Sequence, residues 1–243
     1  MSAHESRRTS AVIVAAGQST RLRATNDAPR KPFLVFEGLT VVEHACAAFD
    51  AVADVEEIVL VGNPADLARL AQLASNSSAM KKVSTVVPGG ELRIDSGRAG
   101  VAAAKRELAL LAIHDAARPL VTPHTIERAI ALAAERGAAL VAVPVIDTIK
   151  TSSDGKHAES TLDRSVLWSA QTPQVFHAQR FRELLERARA EGFRPTDDAA
   201  LWERYVGGVP LCEGDAANLK ITTPGDVLFA GLLLRARRGR REA

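Results

Sequence analysis

The sequence predicts an α/β fold: a mainly parallel sheet flanked by helices. Three features carry that expectation. Short apolar runs of strand length recur along the chain, mostly helix-length segments separate them, and several of those segments repeat apolar residues at helical spacing.

The runs fall at residues 11–16, 57–61, 83–87, 110–114 and 139–143, each about as long as a buried strand. Between and after them the helical stripes are plain. Ile126, Ala129, Ile130 and Ala133 stand at i, i+3, i+4 and i+7, and Phe181, Leu184, Leu185 and Ala188 repeat that spacing, so each set lies on one core-facing side. The alternation stops over residues 145–174, where Asp147-Thr148 and Ser152-Ser153-Asp154-Gly155 predict two extended pieces around a turn, a β-arm leaving the sheet. Helical pattern returns over 178–191 and again from Asp197, followed by a last short strand and a helix starting near Pro224. The expectation is a single domain over 1–243 with a protruding arm at about 145–174.

Composition narrows the function classes. At 47% apolar and 25% charged residues the chain has the balance of a globular protein, and its net charge of +2 gives no reason to expect a nucleic-acid partner. The basic excess sits largely in the tail 235–241, read as a solvated helix end. Cys46 and Cys212 are far apart in sequence and imply neither a disulfide framework nor a zinc site. The polar start, 1–10, precedes an apolar run far too short for a signal-peptide core or a membrane span, so the expected location is the cytoplasm.

The loop Ala15-Ala16-Gly17-Gln18-Ser19-Thr20-Arg21-Leu22 closes the first strand, and its small residues let backbone N–H groups approach phosphate oxygens. Arg21 and Lys31 add two cations suited to a polyanion; a tight turn with surface charges is the alternative. With Gly17 alone, the loop lacks the spaced glycines of a dinucleotide fingerprint, and the Gly-Lys-Ser/Thr ending of a P-loop is also missing.

Taken with Gly89-Gly90-Glu91-Leu92-Arg93-Ile94-Asp95-Ser96, His114-Asp115-Ala116-Ala117-Arg118-Pro119 and Asn218-Leu219-Lys220-Ile221-Thr222, these residues resemble the 2-C-methyl-D-erythritol 4-phosphate cytidylyltransferases of isoprenoid biosynthesis. Asp147-Thr148, Asp163-Arg164 and Thr172-Pro173-Gln174 look like further marks of that family in the same order. The resemblance runs from about Ala11 to the helix after Pro224. It implies a Rossmann-like nucleotidyltransferase fold, CTP as donor, Mg2+ or another divalent cation, and a homodimer whose arms cross to complete each other's acceptor pockets. By the same carry-over Ala15, Ala16, Gly17, Gly90, Glu91 and Ser96 would touch the nucleotide. Thr148, Arg164 and Lys220 would meet a small sugar-alcohol phosphate, with Thr148 and Arg164 supplied by the neighbouring subunit.

The implied reaction needs charge relief and positioning more than proton transfer, because a phosphate monoester is already mostly dianionic near neutral pH. Arg21 and Lys31 are therefore assigned to the leaving pyrophosphate and Lys220 to the α-phosphate or the acceptor phosphate. Asp115, just past a strand's carboxyl end, suits magnesium, with a turn cap as the alternative. Arg118 is a candidate for substrate phosphate; Arg93 and Arg118 serve equally as structural ion-pair partners. His114 is read as packed and non-catalytic, Trp168 and Phe176 as interface anchors or core contacts, and Thr196-Asp197-Asp198 as a helix N-terminus whose acidic residues favour the helix dipole.

Some features depart from the family pattern. Ser19 replaces a glycine, the span from Arg21 to Lys31 is long, Pro32 stands where glutamine is frequent, and Ala217 stands where an aspartate is frequent. The last removes a second metal-side carboxylate unless Asp215 takes its place. Two rival readings follow: a ribitol 5-phosphate cytidylyltransferase and a CTP-binding homologue without turnover.

Overall fold

The computed structural model describes residues 5–18 and 30–242, with side chains up to residue 239. In chain order its elements are β1 (Thr9–Ala15), β2 (Val35–Phe36), β3 (Leu39–Thr40), α1 (Val41–Asp50), β4 (Val55–Gly62), α2 (Leu67–Asn76), β5 (Val83–Pro88), α3 (Arg93–Ala103), β6 (Leu110–Asp115), α4 (Pro123–Arg136) and β7 (Ala138–Pro144). Then come β8 (Lys150–Thr151), β9 (Ser160–Thr161), β10 (Trp168–His177), α5 (Ala178–Ala190), α6 (Ala199–Tyr205), β11 (Leu211–Glu213) and α7 (Pro224–Glu242).

The main sheet has the order β11-β7-β10-β6-β1-β4-β5. Each run read as a strand is one; β1, β4 and β6 are covered on both faces and so are apolar nearly throughout, while β5 at the sheet edge is only partly buried. One face packs Ala11, Ile13, Ile58 and Leu60 under α1, α2 and α4; the other packs Val12, Val59, Leu111 and Ile113 under α3, α5 and α6. The stripes of α4 and α5 are buried as expected. Local chemistry sets the helix ends: Thr40 and Glu43 form a reciprocal cap on α1, Thr122 caps α4, and Gly137 ends α4 in the left-handed region at φ 87°. Cys46 and Cys212 are both buried and free.

The sequence reading of the arm needs correction at its return leg. β10 lies inside the main sheet, antiparallel to both β6 and β7, so the chain has rejoined the sheet by Trp168 and only the segment before it, with the β8–β9 hairpin, stands apart. The alternation was broken because Pro173 has no N–H to give a ladder and the register with β7 shifts between Ala170 and Gln174. Phe176 is correspondingly a core residue, fully buried and stacked on Phe181 at 4.3 Å, whereas Trp168 is 42% exposed.

The order of strands also fixes where a ligand can sit. β1 pairs in parallel with β4 on one side and β6 on the other, so the chain reverses its direction of winding there and leaves a crevice beyond the carboxyl ends of β1 and β6.

Candidate active site

That crevice holds a cavity of about 350 Å³. Its walls are the end of β1 with Ala15, Ala16, Gly17 and Gln18, the turn into α3 with Gly90, Glu91, Leu92, Arg93 and Ser96, the end of β6 with Asp115, and Lys31, Pro32, Lys220 and Thr222. Of the residues expected to hold substrate or metal, Ala15, Ala16, Gly17, Gly90, Glu91, Ser96, Lys31, Lys220 and Asp115 all come together here. Arg21, with Ser19, lies outside the described residues.

The turn is built for close approach. Gly89 N–H donates to Gly62 O at 2.7 Å, and a Cβ placed on Gly89 would stand 2.4 Å from Ala16 Cβ, so this turn and the loop after β1 touch beside the cavity. Ser96 Oγ donates toward Gly90 O and Leu92 O at 3.4 and 3.3 Å, holding the turn onto the first turn of α3. The backbone amides at that helix start favour an anion.

Asp115 is the electrostatic centre. Its Oδ1 accepts from Arg93 Nε at 3.1 Å and its Oδ2 from Lys220 Nζ at 2.6 Å. Burial by itself would raise this carboxyl, but Arg93 and Lys220 outweigh it and hold Asp115 well below the ordinary carboxylate range. The backbone of Asp115 is fixed too, since its N–H donates to Thr172 Oγ1 at 3.1 Å. Thr172 in turn has one hydroxyl proton to give, and it goes to His114 Nδ1 at 2.9 Å. His114 therefore carries its proton on Nε2 and donates it to Arg118 O at 3.2 Å. Burial pushes the His114 pKa down to about 4, so the ring is neutral, fully packed and unavailable as an acid or base, as the sequence implied.

Other residues fall outside the cavity wall. Arg118 is committed to the backbone, donating to Asn218 O at 2.8 Å and Ala170 O at 3.2 Å, which is the tying role rather than the phosphate-binding one. Thr148 and Arg164 belong to the arm; Arg164 donates to Ile146 O at 2.9 Å, and neither lines the crevice of its own chain. Asp215 does not replace the missing carboxylate at Ala217: it accepts from Ala217 N–H at 2.8 Å and faces Arg237 at 3.7 Å.

A divalent cation is tested by these donors. Among the described residues no three His, Cys, Asp or Glu side chains converge on a point, so a protein-only cage is not built here. Asp115, ionised and at the crevice, with Glu91 on the same wall, fits an ion held mainly by phosphate oxygens, which is how magnesium binds beside nucleotides.

Sequence reasoning missed the residues behind the wall. Asp198, read as part of an acidic helix start, is fully buried and lies 2.7 Å from Arg93 Nη2. Gln174 bridges Asp197 and the start of α6, and Asn218 Nδ2 donates to Gln171 Oε1 and Thr172 O. The motif Thr172-Pro173-Gln174 was the available signal for part of this layer.

A profile of the 2-C-methyl-D-erythritol 4-phosphate cytidylyltransferase family matches residues 9–236. The chain belongs to this family. A cytidylyltransferase of this name from Caldanaerobacter subterraneus subsp. tengcongensis is 41% identical, across 93% of this chain and 98% of its own. One from Bacillus licheniformis is 40% identical, across 93% and 95%. Among solved structures, the cytidylyltransferase of Thermus thermophilus is similar at TM-score 0.75 and 31% identity, covering 93% of this chain and 98% of that one. The 4-diphosphocytidyl-2C-methyl-D-erythritol synthase of Anaerococcus prevotii reaches TM-score 0.81 at 26% identity, covering 97% and 100%. The Rossmann-like nucleotidyltransferase fold expected of the family is thus the fold of this chain, in its mostly parallel form with the single reversed strand β10.

Proposed function

We propose that the chain transfers the cytidylyl group of CTP to 2-C-methyl-D-erythritol 4-phosphate, releasing pyrophosphate and forming 4-diphosphocytidyl-2-C-methyl-D-erythritol. The observation that carries this reading is the crevice at the β1/β6 switch point, where Asp115, Lys220, Arg93 and Lys31 line one cavity with the loop 15–18 and Gly90. Membership of the family supplies the substrates.

A phosphate oxygen of the acceptor forms a bond to the α-phosphorus while the bond from that phosphorus to the pyrophosphate oxygen breaks. No side chain has to remove a proton, which agrees with the burial of His114. The turn at Gly89-Gly90 and the loop 15–18 hold the nucleotide; Lys31, with Arg21, meets charge growing on the leaving pyrophosphate; Lys220 draws the acceptor phosphate toward the α-phosphorus. When bound, the divalent cation neutralises phosphate charge, and Asp115 with Glu91 would hold it. Arg118 supports this site from behind by clamping the segments at Asn218 and Ala170.

Thr148 and Arg164 meet the acceptor in the crevice of a second copy, which makes the arm the dimer contact and the homodimer the working unit. A monomer mass by light scattering at concentrations where the protein is active would refute that part. No helix among the described residues is long and apolar enough to cross a membrane, and a cytoplasmic location fits the expected substrates.

The test is direct. Purified protein is incubated with CTP, Mg2+ and either 2-C-methyl-D-erythritol 4-phosphate or ribitol 5-phosphate, and pyrophosphate release is followed. Release with the first acceptor and little with the second is expected; release only with ribitol 5-phosphate, or CTP binding without product from either, would overturn the assignment.

A further inference from the structure

We infer that Asp198 is a positioning residue for the transfer reaction: it fixes Arg93, and through Arg93 the direction of the Asp115 carboxylate. The inference rests on the cytidylyltransfer reading above.

Arg93 is the first residue of α3, and its one guanidinium spans two carboxylates. Nε donates to Asp115 Oδ1 at 3.1 Å, while Nη2 lies 2.7 Å from Asp198 Oδ2. Lys220 takes the remaining oxygen of Asp115 at 2.6 Å. The chain of contacts therefore runs from the buried Asp198, 1% exposed, through Arg93 and Asp115 to Lys220, 45% exposed at the crevice. Gly97, one turn along α3, packs beside this contact: a Cβ there would stand 3.4 Å from both Arg93 Nη1 and Asp198 Oδ1.

The bland explanation for Asp198 is helix capping, and the hydrogen bonds exclude it. The N–H of Ala199 donates to Gln174 Oε1 at 2.7 Å and that of Ala200 to Asp197 Oδ1 at 3.0 Å, so neighbours cap α6 and the Asp198 side chain caps nothing. Nor does stability explain a carboxylate here. Burial pushes the Asp198 carboxyl up, with Arg93 pulling it back only in part, and replacing such a buried pair with apolar residues is often neutral or stabilising. What the buried charge does supply is orientation. An arginine with a single anchor at the cavity wall keeps much of its rotamer freedom; anchored at both ends it presents Nε to Asp115 in one geometry.

The test uses wild type, Asp198→Asn, Arg93→Gln and the double variant, each assayed for kcat and for the KM of CTP by pyrophosphate release. Thermal unfolding and the arginine Nε–H nuclear magnetic resonance signals are recorded alongside. Loss of an outer support of this kind typically costs ~10–100-fold, so Asp198→Asn should lower kcat by about that factor with the KM of CTP little changed. The double variant should be no slower than Arg93→Gln, because both changes remove one relay; a purely structural residue would multiply the two losses. Without turnover, the Nε–H signal absent from Arg93→Gln should be sharp in wild type and lost in Asp198→Asn. An unchanged kcat, multiplying losses, a retained signal, or loss of the cooperative unfolding transition in this isosteric variant would each overturn the proposal. A wild type that binds CTP but makes no product would instead sink the reading of the reaction, and the Nε–H comparison would still decide the relay.

Discussion

Adding one methyl group at Gly89 should disable the nucleotide cradle. The Cβ of Gly89→Ala would stand 2.4 Å from Ala16 Cβ and 2.7 Å from Ser96 Oγ, whereas non-bonded carbons rest at ~3.5–4.0 Å. The hydroxyl of Ser96 can rotate, but the Cβ of Ala16 is fixed to the backbone, so the loop after β1 or the turn after β5 must retreat by more than ~1 Å. Over-packing of this kind costs ~1–3 kcal/mol of stability, and a misplacement of ~1 Å in a reacting assembly costs ~100-fold in rate. The expected outcome is a loss of about 100-fold in kcat/KM for CTP with a fall in Tm of ~2–12 °C, measured by steady-state pyrophosphate release and calorimetry. If kcat/KM and Tm both stay at the wild-type values, the two segments have slack between them and the cradle argument is wrong.

Further outcomes can be checked on the same material. Lys31→Ala should lower kcat by a factor on the order of hundreds, the ~2.7–4 kcal/mol typical of one aimed transition-state donor; full activity would remove Lys31 from the leaving-group side. His114 should make stability depend on pH. It is buried and neutral with a pKa near 4 against an ordinary 6.5, so its contribution is complete above about pH 6.5 and is lost as pH falls toward 4 while the unfolded chain takes up the proton first. The ceiling is ~3 kcal/mol, read as a drop in urea midpoint between pH 7 and pH 4.5 that His114→Gln should flatten. An equal drop in that variant would place the effect elsewhere.

The central parallel strands β1, β4 and β6 were readable because burial on both faces forces an apolar run, and a run needs no knowledge of its neighbours. β10 was not readable as a sheet strand, since Pro173 and the polar residues around it interrupt the pattern that a central strand normally shows. The same division holds in the site. Lys31 and Asp115 stand beside a strand end or turn that marks them locally, and Gly90 sits in a short motif that carries the family resemblance. Asp198 carried no such mark: an aspartate before a helix reads as a cap, and only the fold shows that Asp197 and Gln174 do the capping while Asp198 turns inward to α3. Of the two roles open to Arg118, the tie between loops could not be located in advance, because its partners are backbone carbonyls, and any residue type can offer those.

The reversal of β10 decides which edge of the molecule lies away from the chemistry. β7 leaves the sheet at Pro144, and β10 re-enters opposite that same residue, so the excursion between them starts and finishes on the side where β1 and β6 end. Lengthening in that excursion falls on the side of the chemistry, whereas the loop before Leu110 lies at the opposite ends of the strands. A fluorescent tag or surface tether belongs on that quiet edge.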